Sequence, residues 1–175
     1  MGLSKALLII DVQNGLFNVK DSPIFQEEHL IKNIQTLLKK ARKAKIPIFY
    51  IQHNDPKGQV LENGTENWKI RVEITPKVED VIIQKYYPDS FLDTNLEEQL
   101  RMREINFLII AGLATDMCID TTVKSAFSHG YKVTLIKDAH STMDSEVLKA
   151  SQIIAHHNSI LEMFSDLKST KEFEP

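Results

Sequence analysis

Three residues of this 175-residue chain have types suited to nucleophilic chemistry: its only cysteine, Cys118, together with Asp11 and Lys85. A thiol attacks carbonyl carbon well once its proton is removed or its pKa is depressed, and a nearby ammonium or a helix N-terminus favours the thiolate. A carboxylate alongside can accept the thiol proton and later activate water. Backbone N–H groups of the same turn can hold the oxyanion of a tetrahedral intermediate. Taken one at a time, each residue also has an ordinary reading. A lone cysteine is most often a small buried hydrophobe, an aspartate after a strand caps the next turn, and a lysine at a strand end is a solvated charge on a buried stem. Their positions relative to the fold decide between the two.

Five short runs read as strands: "ALLII" (6–10), "IPIFYIQ" (46–52), "VIIQK" (81–85), "FLIIAGL" (107–113) and "KVTLIK" (132–137). Each is apolar nearly throughout, which marks strands covered on both faces. Helical patterns separate them. Leu30, Ile34, Leu37, Leu38 and Ala41 recur at three-and-four spacing, as do Leu96, Leu100 and the aliphatic stem of Arg103. "CIDTTVKSAFSHG" places Ile119, Val123, Ala126 and Phe127 on one side and ends at Gly130, a C-cap, and "SEVLKASQIIAHH" supplies a further helix. This alternation specifies an α/β fold with a doubly wound parallel sheet. Such sheets bind ligands at the carboxyl ends of their strands. Asp11 ends the first strand, Lys85 ends the third and Cys118 follows the fourth, so all three belong to one end of the sheet.

Other residues fall at the same end. Phe17, Trp68, Tyr86 and Phe91 follow strand ends, where aromatic rings wall a planar substrate or make a subunit interface. Gln13 and Asn14 are close enough to Asp11 to hydrogen-bond it, and Gln13 is also expected to contact substrate, although polar turn residues read the same way. Thr115 and Asp116 shape the start of the next helix, with Asp116 available to cap it. Residues 54–76 form a long polar, turn-rich loop of the kind that covers a site. The tail "SDLKSTKEFEP" is polar and reads as frayed or used in assembly.

Composition excludes several classes. The chain has the length of one domain, a hydrophobic fraction of 42%, a charged fraction of 26% and a formal net charge of -3. Its basic residues are dispersed and outnumbered, so no nucleic-acid partner is expected. The apolar start ends at Asp11, too short for a signal peptide or a membrane span, and the expected location is cytoplasmic. Met1-Gly2 faintly matches a myristoylation start, but the strand follows too closely for that reading. One cysteine makes neither an internal disulfide nor a cysteine-based zinc cage. No "GxGxxG" follows the first strand, so nothing opens a phosphate cradle there.

The stretches "LLIIDVQNGLF", "VIIQKYYPDSF", "IIAGLATDMCIDTT" and "GYKVTLIKDAHST" resemble the successive signatures of the isochorismatase-like cysteine hydrolases, from about Leu7 to Leu161. The resemblance implies residues 1–175 as one isochorismatase-like hydrolase domain: a three-layer sheet of six mainly parallel strands in the order 3-2-1-4-5-6, with helices on both faces. It suggests a last strand near Ser159 to Met163. It implies a catalytic triad of Asp11, Lys85 and Cys118, and a cis peptide at Leu113-Ala114 that aims the Ala114 N–H beside that of Cys118 as an oxyanion hole. The implied activity is hydrolysis of an amide-like C–N bond in a small-molecule substrate through a thioester, by a homo-oligomer that needs no cofactor.

Departures from the family's patterns narrow this further. Nicotinamidases of the family carry an Asp-x-His pair and a further histidine as metal ligands, whereas this chain reads "YIQHNDPKG", with His53 before Asp55, so no metal is expected. His53 at a strand end is read as simply hydrogen-bonded. His156 and His157 are adjacent on a helix and point different ways. Isochorismatases proper typically lack the cysteine. Isochorismatase or nicotinamidase chemistry, or a non-catalytic thiol sensor or binding protein, are the alternatives.

Overall fold

A run of five to seven apolar residues without a polar face must be covered on both sides, and the computed structural model places every such run inside one sheet. It describes residues 4–19 and 21–175, so the Met1-Gly2 start lies outside the described residues. The strands are β1 (Lys5–Ile10), β2 (Ile48–His53), β3 (Val81–Lys85), β4 (Phe107–Leu113), β5 (Lys132–Ser141) and β6 (Asp166–Lys168). All pair in parallel, in the order β3-β2-β1-β4-β5-β6. The helices are α1 (Asn14–Phe17), α2 (Glu27–Lys43), α3 (Leu96–Arg101), α4 (Asp120–Ser128) and α5 (Ala150–Leu161). Among the described residues no helix is long and apolar enough to cross a membrane.

Alternate residues of a strand point to opposite faces, so β1 feeds two cores. Leu7 and Ile9 pack with the predicted stripe of α2, Leu30, Ile34, Leu37, Leu38 and Ala41. Leu8 and Ile10 pack with Leu96 and Leu100 of α3 and with Ile119, Val123 and Ala126 at the start and along the length of α4. The α4 helix stops before Gly130, whose φ of +83° suits a glycine C-cap.

Four expectations are corrected. The last strand is not at Ser159 to Met163: α5 runs on to Leu161, burying Ala150, Ile153 and Leu161, and β6 follows at Asp166–Lys168. The tail is not frayed, because Phe173 is 3% exposed and Lys40 Nζ donates to the carbonyls of Thr170 and Phe173 at 2.8 and 2.7 Å. Phe127 lies outside the α4 stripe, half exposed and edge-on to Phe164 at 5.5 Å, since position 127 follows Ala126 around the helix and away from the sheet. Arg103 lies beyond α3, its guanidinium 5.7 Å from the Phe49 ring.

One glycine sets the spacing of the strands that matter. Gly112 in β4 has φ +127°, and a Cβ there would stand 2.1 Å from the carbonyl oxygen of Ile10. Only glycine lets the end of β4 lie this close to the end of β1. The residue after Ile10 is Asp11, and the turn after Leu113 carries Cys118.

Candidate active site

The ends of β1 and β3 and the turn after β4 bring three polar side chains to one point. Asp11 leaves β1 in the left-handed region, φ +52°, which aspartate tolerates better than most residues, and its N–H still donates to Ile51 O at 2.9 Å. Lys85 is the last residue of β3 and points inward in register with Ile83, 0% exposed. Its ammonium lies 2.7 Å from Asp11 Oδ2 and 3.2 Å from Cys118 Sγ. It also meets Tyr87 O at 3.0 Å and His53 Nδ1 at 3.2 Å. The lysine is therefore a buried bridge rather than a solvated charge.

Cys118 sits on a single π-helical turn, Thr115–Ile119, in which the Ile119 N–H reaches back to Ala114 O at 3.1 Å. The peptide Leu113-Ala114 that enters this turn is cis, as the resemblance implied. The turn is tied down on two sides. Thr115 Oγ1 lies 2.8 Å from His140 Nδ1, whose other ring nitrogen lies 2.9 Å from Asn158 Oδ1. Asp116 Oδ1 accepts from Thr142 Oγ1 at 2.6 Å, so Asp116 fastens the turn to the segment after β5 and does not cap the helix.

Electrostatics assign the protons. Burial works against the Lys85 ammonium, but Asp11 and Cys118 outweigh it and hold its pKa above the ordinary value. Burial first, and then the Asp11 charge, push the Cys118 thiol up to about 12, against the opposing pull of Lys85. This corrects the expectation that lysine and helix N-terminus would favour a resting thiolate. Asp11 cancels Lys85 at close range, so the sulfur faces a nearly neutral pair. Asp11 Oδ1 is buried with no hydrogen-bond partner among the described residues.

The polar residues next to Asp11 serve the scaffold. Gln13, 0% exposed, donates from Nε2 to His53 O at 3.0 Å and to Trp68 O at 2.8 Å, and accepts the His53 N–H at 2.8 Å. Its amide is saturated by backbone, which corrects its assignment to substrate. Asn14 likewise ties to the 54–76 segment, through Lys69 O and Glu66 O. Sequence position gave no sign of this, because the partners lie 40 to 55 residues away.

The aromatic residues divide. Phe91 is 8% exposed in the core beside α3 and α4, stacked on His129 at 4.7 Å, and is not a wall of this site. Phe17 is half-buried with the Arg71 guanidinium 4.7 Å above its ring. Trp68 donates its indole N–H to Asn54 Oδ1 at 2.7 Å, anchoring the loop at the end of β2. Tyr86, next to Lys85, is 62% exposed.

His53 is placed by more than one partner. Besides Nδ1 against Lys85, its Nε2 lies 3.2 Å from Asp55 Oδ1, and burial followed by the Lys85 charge lowers its pKa. The His156 and His157 rings stand nearly perpendicular, with His157 Nδ1 3.1 Å from Asp120 Oδ1.

Comparison with known proteins gives a consistent picture. The family model described as the isochorismatase domain matches residues 5–161. An uncharacterized isochorismatase family protein of Bacillus subtilis, YddQ, is 28% identical over 98% of this chain and 99% of its own length. Nicotinamidase 3 of Arabidopsis thaliana is 30% identical over 83% of this chain and 77% of its own. Among solved structures, a putative isochorismatase hydrolase from Oleispira antarctica superposes with a TM-score of 0.92 at 28% identity, covering 98% of this chain and 96% of that one.

Proposed function

This chain belongs to the isochorismatase family of hydrolases, and on that premise we propose that it hydrolyses an amide-like C–N bond of a small molecule through Cys118. The observation that carries the reading is Lys85 Nζ, wholly buried, bridging Asp11 Oδ2 at 2.7 Å and Cys118 Sγ at 3.2 Å. The amidase named among the relatives supports the choice of bond.

The thiol rests protonated, so attack needs a base, and Asp11 is the carboxylate in place. Asp11 takes the Sγ proton as sulfur bonds to the carbonyl carbon. The carbonyl oxygen becomes an oxyanion held by the N–H groups of Ala114 and Cys118. As the C–N bond breaks, Asp11 returns that proton to the departing ammonia or amine, leaving a thioester. A water then gives a proton to Asp11 and attacks, releasing the carboxylic acid and restoring the thiol. Lys85 serves both ends of each proton transfer: it pairs with the carboxylate at rest and with the thiolate once Asp11 is protonated. Protonating Asp11 removes the charge that held the thiol up, so the pair exchanges one proton without building net charge.

The alternatives fit less well. A redox sensor needs an exposed thiol of low pKa, and Cys118 is half-buried with its pKa raised. Isochorismatase chemistry on a vinyl ether would leave the sulfur idle. Nicotinamidase-type metal binding would need His53 and Asp55 released from their present partners.

The test is ammonia or amine release from a panel of small primary amides, ureas and carbamoyl compounds, with acid-quenched samples examined by mass spectrometry. Turnover together with an acyl adduct on Cys118, both absent in Cys118→Ser, is the expected result. Turnover retained by Cys118→Ser overturns the proposal.

A further inference from the structure

An ammonium has three N–H groups, and Lys85 has four acceptors around it: Asp11 Oδ2, Tyr87 O, His53 Nδ1 and Cys118 Sγ. Two of these contacts are accounted for by the chemistry above and one is backbone. The fourth, His53, is held with unusual care for a residue outside that chemistry. Its backbone N–H and carbonyl are both clamped by the Gln13 amide. Its ring is held at Nε2 by Asp55 Oδ1, and Asp55 Oδ2 is fixed in turn by the Leu61 N–H at 2.9 Å. With Nε2 donating to Asp55, the Nδ1 lone pair faces Lys85, so the tautomer follows from the contacts.

We propose that His53 is a positioning residue: its neutral imidazole, oriented by Asp55, accepts one Lys85 N–H and so seats the ammonium between Asp11 and Cys118. This deepens the cysteine-hydrolase reading and rests on it. The groups that face His53 are Lys85 and Asp11 from the buried side and Asp55 from the loop. A second proton on His53 would sit on Nδ1, where it opposes the ammonium and cancels the contact. Lys85 then loses its seat and the sulfur loses its partner. The His53 and Asp55 side chains are 19% and 26% exposed, so solvent protons reach the ring although they do not reach Lys85. Reactivity at Cys118 therefore carries an acid limb set by His53. Burial and Lys85 lower the His53 pKa, so the limb lies below the ordinary histidine range.

Alkylation of Cys118 by iodoacetamide, followed by mass across pH, reads this without knowledge of the substrate. The native protein is compared with His53→Asn, whose carbonyl can replace Nδ1 as an acceptor without titrating, with Asp55→Asn and with His53→Phe. Loss of thiolate alone lowers the native rate about tenfold per pH unit, and through the His53 limb the fall should steepen to about a hundredfold per unit, as for two titrating groups. In His53→Asn the steepening should be absent. In Asp55→Asn it should move to lower pH, because a contact that raises the His53 pKa is gone. His53→Phe, without an acceptor, should lose reactivity across the whole range; if it does not fold, the two asparagine variants still decide. Superimposable profiles for native protein and His53→Asn overturn the role of His53 while leaving the hydrolase reading intact. A Cys118 that reacts at no pH in the folded native protein, together with no turnover on the amide panel, sinks the hydrolase reading itself.

Discussion

The Lys85 ammonium stands 3.2 Å from the Cys118 sulfur, yet the thiol pKa goes up, to about 12. Burial of the sulfur is the first cause, and the third partner is the second. Asp11, 2.7 Å from the same nitrogen, cancels most of the field that the lysine would exert on sulfur, and burial then favours the uncharged thiol. The site is thus arranged to hold one mobile proton rather than a permanent thiolate.

Removing the Asp11 charge should make the thiol more acidic while abolishing turnover. Asparagine is the substitution to use, because it also tolerates the left-handed backbone at this position. With Asp11→Asn, burial still raises the thiol pKa but the Asp11 charge no longer does, and Lys85 still lowers it, so the thiolate absorbance should appear at a lower pH than in the native protein. Hydrolysis should fall by a factor on the order of 1,000, the scale of a lost general base. An unchanged thiol titration would show that Asp11 does not act on the sulfur.

The buried ion pair predicts a pattern in stability. Lys85→Met leaves an unpaired carboxylate with a side chain about 3% exposed, and such a change costs about 3–5 kcal/mol. The double variant Asp11→Asn, Lys85→Met removes both charges and should recover most of that loss, although it should be inactive. Denaturant unfolding of the native, single and double variants checks this. A double variant as unstable as Lys85→Met would mean that the loss comes from the ammonium's other contacts, to Tyr87 O and His53 Nδ1, and not from the unpaired carboxylate.

Gly112→Ala should damage both fold and site. The added methyl meets Ile10 backbone at 2.1 Å, and backbone cannot swing away as a side chain does. Together with the strained φ of +127°, the cost should be about 2–4 kcal/mol. The strands yield where Asp11 and the Cys118 turn meet, so activity per folded molecule should drop as well. Thermal unfolding combined with turnover well below the transition separates the two effects.

How far the sequence foretold this site depends on the range of each interaction. The five long strands were legible because a buried parallel strand is apolar along its length, and Asp11 and Lys85 stood out as charges at the ends of such runs. The sixth strand, Asp166–Lys168, is short and mostly polar, so periodicity passed over it. Phe91 was misplaced because a loop position does not say which way a ring turns. Gln13 and His53 looked like ordinary strand-end polar residues because their partners are remote in sequence. His140 lay within a recognised stretch, but its contact with Thr115 spans 25 positions and leaves no local mark.

That buried histidine gives the last prediction. His140 is 4% exposed, with Nδ1 on Thr115 and Nε2 on Asn158, an arrangement that suits a neutral ring donating from Nε2 to the Asn158 carbonyl and accepting the Thr115 hydroxyl at Nδ1. Burial lowers its pKa from 6.5 to about 4, with Asn158 opposing. In the unfolded chain the ring protonates at its ordinary pKa, so between those two values the unfolded state binds the extra proton. Stability should therefore be full above about pH 6.5 and should fall as pH drops toward 4, by as much as about 3 kcal/mol from this group alone. Below pH 4 both states carry the proton and the group contributes no further loss. In His140→Gln this component should be absent: the variant should start less stable at neutral pH, having lost the Thr115–Asn158 link, but should lose less on acidification. Denaturant unfolding of both proteins from pH 7 to 4 makes the comparison. Parallel losses would place the acid sensitivity elsewhere and leave His140 as a tie for the nucleophile turn alone.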